Sequence, residues 1–147
     1  MSLTQTLNHE EVVVLDHGTG AKLSRELVEK IASILGDTYL GVMEDSAVLG
    51  LSTRRIAFTT DSFVATPLIF GNGDIGKIAV CGTVNDLAVS GARPLYITLS
   101  LIIEEGMPMA DLVRIIESVR ETAREAEVKI VAGDTKVVGK GEADRLF

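Results

Sequence analysis

Residues 71–94, GNGDIGKIAVCGTVNDLAVSGARP, constrain this chain more than any other stretch. Asp74 stands where an N-cap belongs, behind two glycines, and predicts the start of a helix. Gly91 stands where a C′ residue belongs, and Pro94 prevents continuation. Between them the side chains are small or apolar, among them Ile75, Ile78, Ala79, Val80, Gly82, Val84, Leu87 and Ala88. That composition predicts a helix buried nearly all round. Lys77, Asn85 and Asp86 lie inside it, and buried polar groups need partners or a ligand.

At about 100° per residue, Ile75, Ala79, Gly82 and Asp86 project within one narrow arc. Ala79 and Gly82 leave room beside Asp86 for a second backbone or a ligand. Asp74 and Asp86 are separated by about 18 Å of helix at roughly 1.5 Å per residue, so one ion cannot bind both directly. If Asp86 holds a cation, the natural partners are Asp45 and Asp61, each at the end of an expected strand. Turn-capping carboxylates are the plainer reading of both. Lys77 in the first turn is placed to reach a phosphate, or to extend into solvent.

The remaining chain reads as alternating elements. A short strand is expected over 12–15, then a loop with Gly18 and Gly20, then a helix over 22–35 closed by Gly36. This strand, glycine-rich loop and helix could present backbone N–H groups to an anion. Strands are expected over 47–49 and 55–60, and a long connection over 65–72. A strongly apolar strand follows over 95–103, and an amphipathic helix over 109–126. A strand over 128–131 leads into a loop, Ala132-Gly133-Asp134-Thr135-Lys136. The order predicts an α+β domain of mixed α/β layers, a sheet with helices packed on one face.

The 147 residues carry a net charge of −7, which argues against binding polyanions by bulk charge. No Trp is present to stack on single-stranded nucleic acid. The apolar runs are too short to span a bilayer, and the start lacks a signal-peptide pattern. A single cysteine, Cys81, excludes an internal disulfide and fits a reducing, cytoplasmic setting. Within an apolar helix it reads as a small buried hydrophobe. The chain stops as ADRLF begins to look like a strand, so a piece of a longer protein is expected.

Several blocks together resemble the HypE family of hydrogenase maturation factors: HGTGAKL, EDSAVL, AFTTDSFV, the whole run from Gly71 to Gly106, and IVAGDTKVV. More broadly the pattern is similar to the superfamily of aminoimidazole ribonucleotide synthetases, selenophosphate synthetases and thiamine-monophosphate kinases. The resemblance implies an ATP-binding N-terminal domain over 1–147 of a two-domain protein. It implies a homodimer in which strands of two subunits form a β-barrel. It also implies an activity for the full-length protein. A carbamoyl group on a C-terminal cysteine, absent here, is dehydrated with ATP to a thiocyanate, which supplies cyanide to a NiFe hydrogenase.

Carried over by motif, Asp45, Asp61 and Asp86 resemble Mg²⁺ ligands. Asn85, Asp134, Thr135 and Lys136 resemble groups around the nucleotide phosphates. His17, Gly18, Gly20 and Lys22 match a glycine-rich segment near the triphosphate, with Lys77 and Asp74 as further candidates. Ala21 replaces a commoner glycine, and Ser46 a commoner alanine. The implied partners are a carbamoyltransferase and the proteins that assemble the iron-cyanide group, with no nucleic acid and no membrane. Phosphoryl transfer mostly needs positioning and charge neutralisation, and carboxylates holding Mg²⁺ supply both. Another enzyme of the superfamily, such as a thiamine-monophosphate kinase, and a non-catalytic assembly module are the alternatives.

Overall fold

Local sequence signals set the three long helices. The computed structural model describes residues 11–41, 46–52 and 55–147. Helix α1, Lys22–Leu35, buries Leu27, Ile31 and Leu35 along one stripe and ends at Gly36, whose φ is 54°. Helix α2, Ile75–Val89, starts where the Asp74 carboxylate accepts the Lys77 N–H at 3.0 Å. It stops at Ser90, and Gly91 takes a φ of 76° that suits a residue without Cβ. Helix α3, Met109–Glu125, buries Leu112, Ile115, Ile116, Val119 and Ala123. Each such buried Leu, Ile or Val stabilises the fold by about 1.5–3 kcal/mol.

Strand β1, Ile69–Phe70, and strand β2, Gly73–Asp74, form a small antiparallel hairpin leading into α2. Strand β3, Tyr96–Glu104, and strand β4, Lys129–Val138, run parallel, a pairing that needs a crossover, which α3 supplies. Their register runs from Tyr96 opposite Lys129 to Glu104 opposite Val138, with one irregularity at Ile97/Thr98. The edges of this pair are touched only in part. Tyr39 bridges Ile130, with Leu40 N–H donating to the Ile130 carbonyl at 2.8 Å. Ile102 and Phe147 exchange backbone bonds of 2.9 and 3.0 Å on the other side.

The core joins the inner stripes of α1 and α3 to Leu101, Ile103 and Ile130 of the strands, closed by Val13, Met107, Val128 and Leu146. Helix α2 meets α3 at Gly76, where a Cβ would stand 2.6 Å from the Ile115 carbonyl oxygen. Only the N-terminal half of α2 is covered: Ile75, Gly76 and Val80 are buried, while Val89 is 87% exposed. The expected all-round burial is therefore corrected: among the described residues the second half is covered only in part, at Val84 and by Phe63 on Gly82.

Three further expectations are revised. Residues 12–15 make only single bridging contacts, Val12 with Pro108 and Val13 with Met107, before a 3₁₀ turn at Leu15–Gly18. Residues 47–49 and 55–60 join no ladder among the described residues, for want of a neighbouring strand. Residues 132–136 are not a loop but the middle of β4, because pairing with β3 continues through Gly133 and Asp134. Residue Asp45 lies outside the described residues.

Candidate functional site

Two of the expected phosphate-binding motifs meet at the end of β4. The 3₁₀ turn Leu15–Gly18 lies against this strand. A Cβ on Gly18 would stand 2.9 Å from the Val137 Cβ and 3.1 Å from its backbone nitrogen. Val137 directly follows Lys136, so Gly18 sits one residue along β4 from that lysine. Within β4, Lys136 Nζ reaches Asp134 Oδ1 at 3.1 Å; both side chains are largely exposed. Thr135, on the opposite side of the pleat, is half-buried.

The loop itself is held by its own side chains. His17 Nδ1 accepts the Val14 N–H at 3.0 Å, which leaves Nε2 as the nitrogen free for a ligand. Gly20 has a φ of 80° with open space around it, and its N–H donates to Ser24 Oγ at 2.8 Å. Thr19 Oγ1 donates to the Asp16 carbonyl at 3.0 Å. Ala21, the N-cap of α1, has an extended backbone at φ −91° that suits any residue, so alanine sits there without strain. Lys22 is exposed and paired with Glu26 at 3.4 Å. Ser24 was not among the expected residues; a hydroxyl four residues after Gly20 was its signal.

Beside this strand end lies an open cleft of about 350 Å³ between α1 and the β3–β4 pair. Val28, Ile31 and Leu35 form one wall and Leu99 and Leu101 the other, with Asp134 and Thr135 at its polar end. An apolar cleft ending in a few polar groups suits a ligand with an apolar body and a polar end.

A second cluster lies along α2. A Cβ on Gly82 would stand 2.6 Å from the Phe63 ring, so this aromatic fills the room that the sequence leaves beside Asp86. Asp61 lies two residues before this contact and Asp86 one turn after it. Both carboxylates are exposed, and among the described residues neither takes part in an ion pair. Unpaired, exposed carboxylates are the hard oxygen donors that Mg²⁺ takes. Among the described residues no three His, Cys, Asp or Glu side chains form a metal cage, and Asp45 is not one of those residues. Asn85 is exposed beside Asp86, and Cys81 is half-buried on the same helix.

Asp74 and Lys77 belong to a third place. Asp74 is 5% exposed and serves as the helix cap. Lys77 lines a polar groove with Arg114, Glu117, Glu121 and Glu125 of α3, at the other end of α2 from Asn85 and Asp86. The structure thus seats Gly18 on Val137, next to residues 134–136, and ties Asp61 to the α2 flank through Phe63. It gives Asp74 a structural task.

Residues 43–147 match the family model described as AIR synthase related protein, N-terminal domain. The chain is 50% identical over 143 residues to carbamoyl dehydratase HypE of Rhodobacter capsulatus, covering 94% of this chain and 42% of that protein. It is 45% identical over 141 residues to carbamoyl dehydratase HypE of Escherichia coli K12, covering 92% and 42% respectively. Thus the chain spans about two-fifths of the length of these relatives. Among solved structures, it superposes on hydrogenase maturation protein HypE in complex with ATP with a TM-score of 0.86. That match has 43% identity and covers 90% of this chain and 40% of the other. A HypE–HypF complex matches with a TM-score of 0.59 and 50% identity, over 86% of this chain and 39% of the other. No helix among the described residues is long and apolar enough to cross a membrane.

Proposed function

We propose, because this chain belongs to the AIR synthase related family and carries its N-terminal domain, that it is the ATP-binding part of a longer, HypE-like carbamoyl dehydratase. The observation that carries this reading is the junction of the glycine-rich loop with β4. It brings two motifs of anion-binding character to one strand end, beside an apolar cleft. The likeness to a HypE structure in complex with ATP supports it.

In this reading Gly20, Lys22, Asn85, Asp134, Thr135 and Lys136 surround the phosphates, with His17 and Gly18 shaping the loop. Asp61 and Asp86 hold Mg²⁺ with Asp45. The cation would offset phosphate charge, and the protein's part is to position the chain of phosphates and keep the carboxylates poised. The full-length protein would convert an S-carboxamide on its own cysteine to a thiocyanate with loss of water, driven by ATP. That cysteine lies outside these residues. The domain by itself would then bind nucleotide without completing the reaction. Its setting would be the cytoplasm. Its partners would be a second copy of itself, a carbamoyltransferase, and the proteins that place cyanide on iron. A HypE–HypF complex among the structural neighbours supports the second.

The test is thermal. Mg²⁺-ATP at about 100 times its Kd should stabilise the full-length protein by about 2.7 kcal/mol, seen as a rise in Tm. Asp86→Ala should remove most of that rise. A variant with an unchanged shift would remove Asp86 from the metal site.

A further inference from the structure

We propose that Gly18 and Val137 form the joint that fixes residues 17–22 on β4, which makes Val137 a positioning residue for the nucleotide site. This rests on the ATP-binding reading given above. The two loop glycines have different tasks. Gly20 takes a φ of 80° and faces open space, so it needs freedom of backbone and leaves room for a ligand. Gly18 has no left-handed backbone; it must lack a side chain because β4 passes beneath it. A Cβ there would meet the Val137 Cβ at 2.9 Å, its nitrogen at 3.1 Å and its carbonyl oxygen at 3.3 Å. Two of these three atoms are backbone of a strand paired with β3, which yields less readily than the end of a side chain. An added methyl group must therefore move the loop.

Val137 packs against the hydrophobic core and is the next residue after Lys136. The contact therefore ties the height of the loop to the register of β4, and with it the separation of Gly20 and Lys22 from Asp134, Thr135 and Lys136. Misplacing binding groups by a fraction of an ångström weakens the interactions they share. The loss should concentrate on the part of the ligand that both motifs touch, the phosphate chain beyond the first phosphate.

The experiment compares Mg²⁺-ATP with AMP by titration calorimetry on the full-length protein. Gly18→Ala should lower the ratio of ATP to AMP affinity by about tenfold. The Gly18→Ala/Val137→Gly double variant, which removes the nearest of the three clashing atoms, should recover part of that ratio. Val137→Gly alone loosens the seat and should lower the ratio by about threefold, and it serves as the test if Gly18→Ala does not fold. An unaltered ratio in the single variants, an equal loss for both nucleotides, or no recovery in the double variant would overturn the joint. A wild type that binds neither nucleotide overturns the ATP reading itself, and this inference with it.

Discussion

Glu104 shows how one side chain organises a neighbourhood. At the end of β3 its carboxylate accepts the Gly141 N–H at 2.5 Å and the Arg145 N–H at 2.9 Å. These two bonds hold the polar turn after β4 so that residues 145–147 return along β3. Thr66 Oγ1 donates to Asp144 at 2.7 Å and fastens the turn from the other side. Hydrogen bonds to the charged form hold the Glu104 carboxyl below the usual range, the Gly141 bond foremost and the Arg145 bond next; desolvation and then the Asp144 charge oppose them, and the Lys140 charge assists. Asp37 is likewise held low, chiefly by its hydrogen bond from Arg124. A carboxyl with a depressed folded pKa stabilises the fold above its unfolded value, and that contribution fades as pH falls through the folded value. Stability should therefore decline as pH drops below about 4.3, the ordinary glutamate value. Glu104→Gln should be less stable at neutral pH and should show a shallower acid decline, read from urea midpoints across pH. An acid limb identical to wild type would mean that Glu104 contributes nothing to it.

Helix α2 carries the argument at the scale of an element. Its first turn is the anchored end: Asp74 is buried, caps the Lys77 N–H, and stands beside the close α2–α3 approach at Gly76. Asp74→Ala should cost about 1–2 kcal/mol, the upper part of the usual range for a lost cap because the orphaned N–H is partly buried. Asp74→Ser should retain most of that stability. Urea unfolding with an unchanged m-value is the measurement. The cap, the stop at Gly91 and the apolar stripes of α1 and α3 were legible in the sequence because they depend on residues within a turn or two. What was not legible depends on distant partners. Residues 132–136 carry glycine and aspartate and read as a loop, yet the register with β3 makes them a strand. Gly82 reads as space for a ligand, but Phe63, nineteen positions upstream by the numbering, fills it. The motifs of the candidate site were visible one by one. Their meeting at Val137 was not, since nothing local links residue 18 to residue 137.

For the whole molecule the informative feature is apolar surface that its own chain leaves open. Val48 is 96% exposed, Phe58 86%, and Ile56 and Val64 each 71%. They lie on segments that join no ladder among the described residues, although 55–60 have the composition of a strand. Exposed strand-like segments with large apolar side chains are poor surfaces for a monomer, because unpaired backbone and apolar area both favour association. A second copy of the chain would satisfy both at once, as the homodimer proposed above requires, and a symmetric pair needs only one self-complementary patch. The same segment carries Asp61 and is pinned to α2 by Phe63, so dimer contacts would brace one side of the proposed cation site. Light scattering should therefore give the mass of a dimer at micromolar concentration. Phe58→Glu should weaken association by at least about tenfold, as truncating or charging a central aromatic does. A wild-type chain that stays monomeric as concentration rises would leave those side chains without the partner assigned to them. The extended segment would then need another explanation for its exposed phenylalanine.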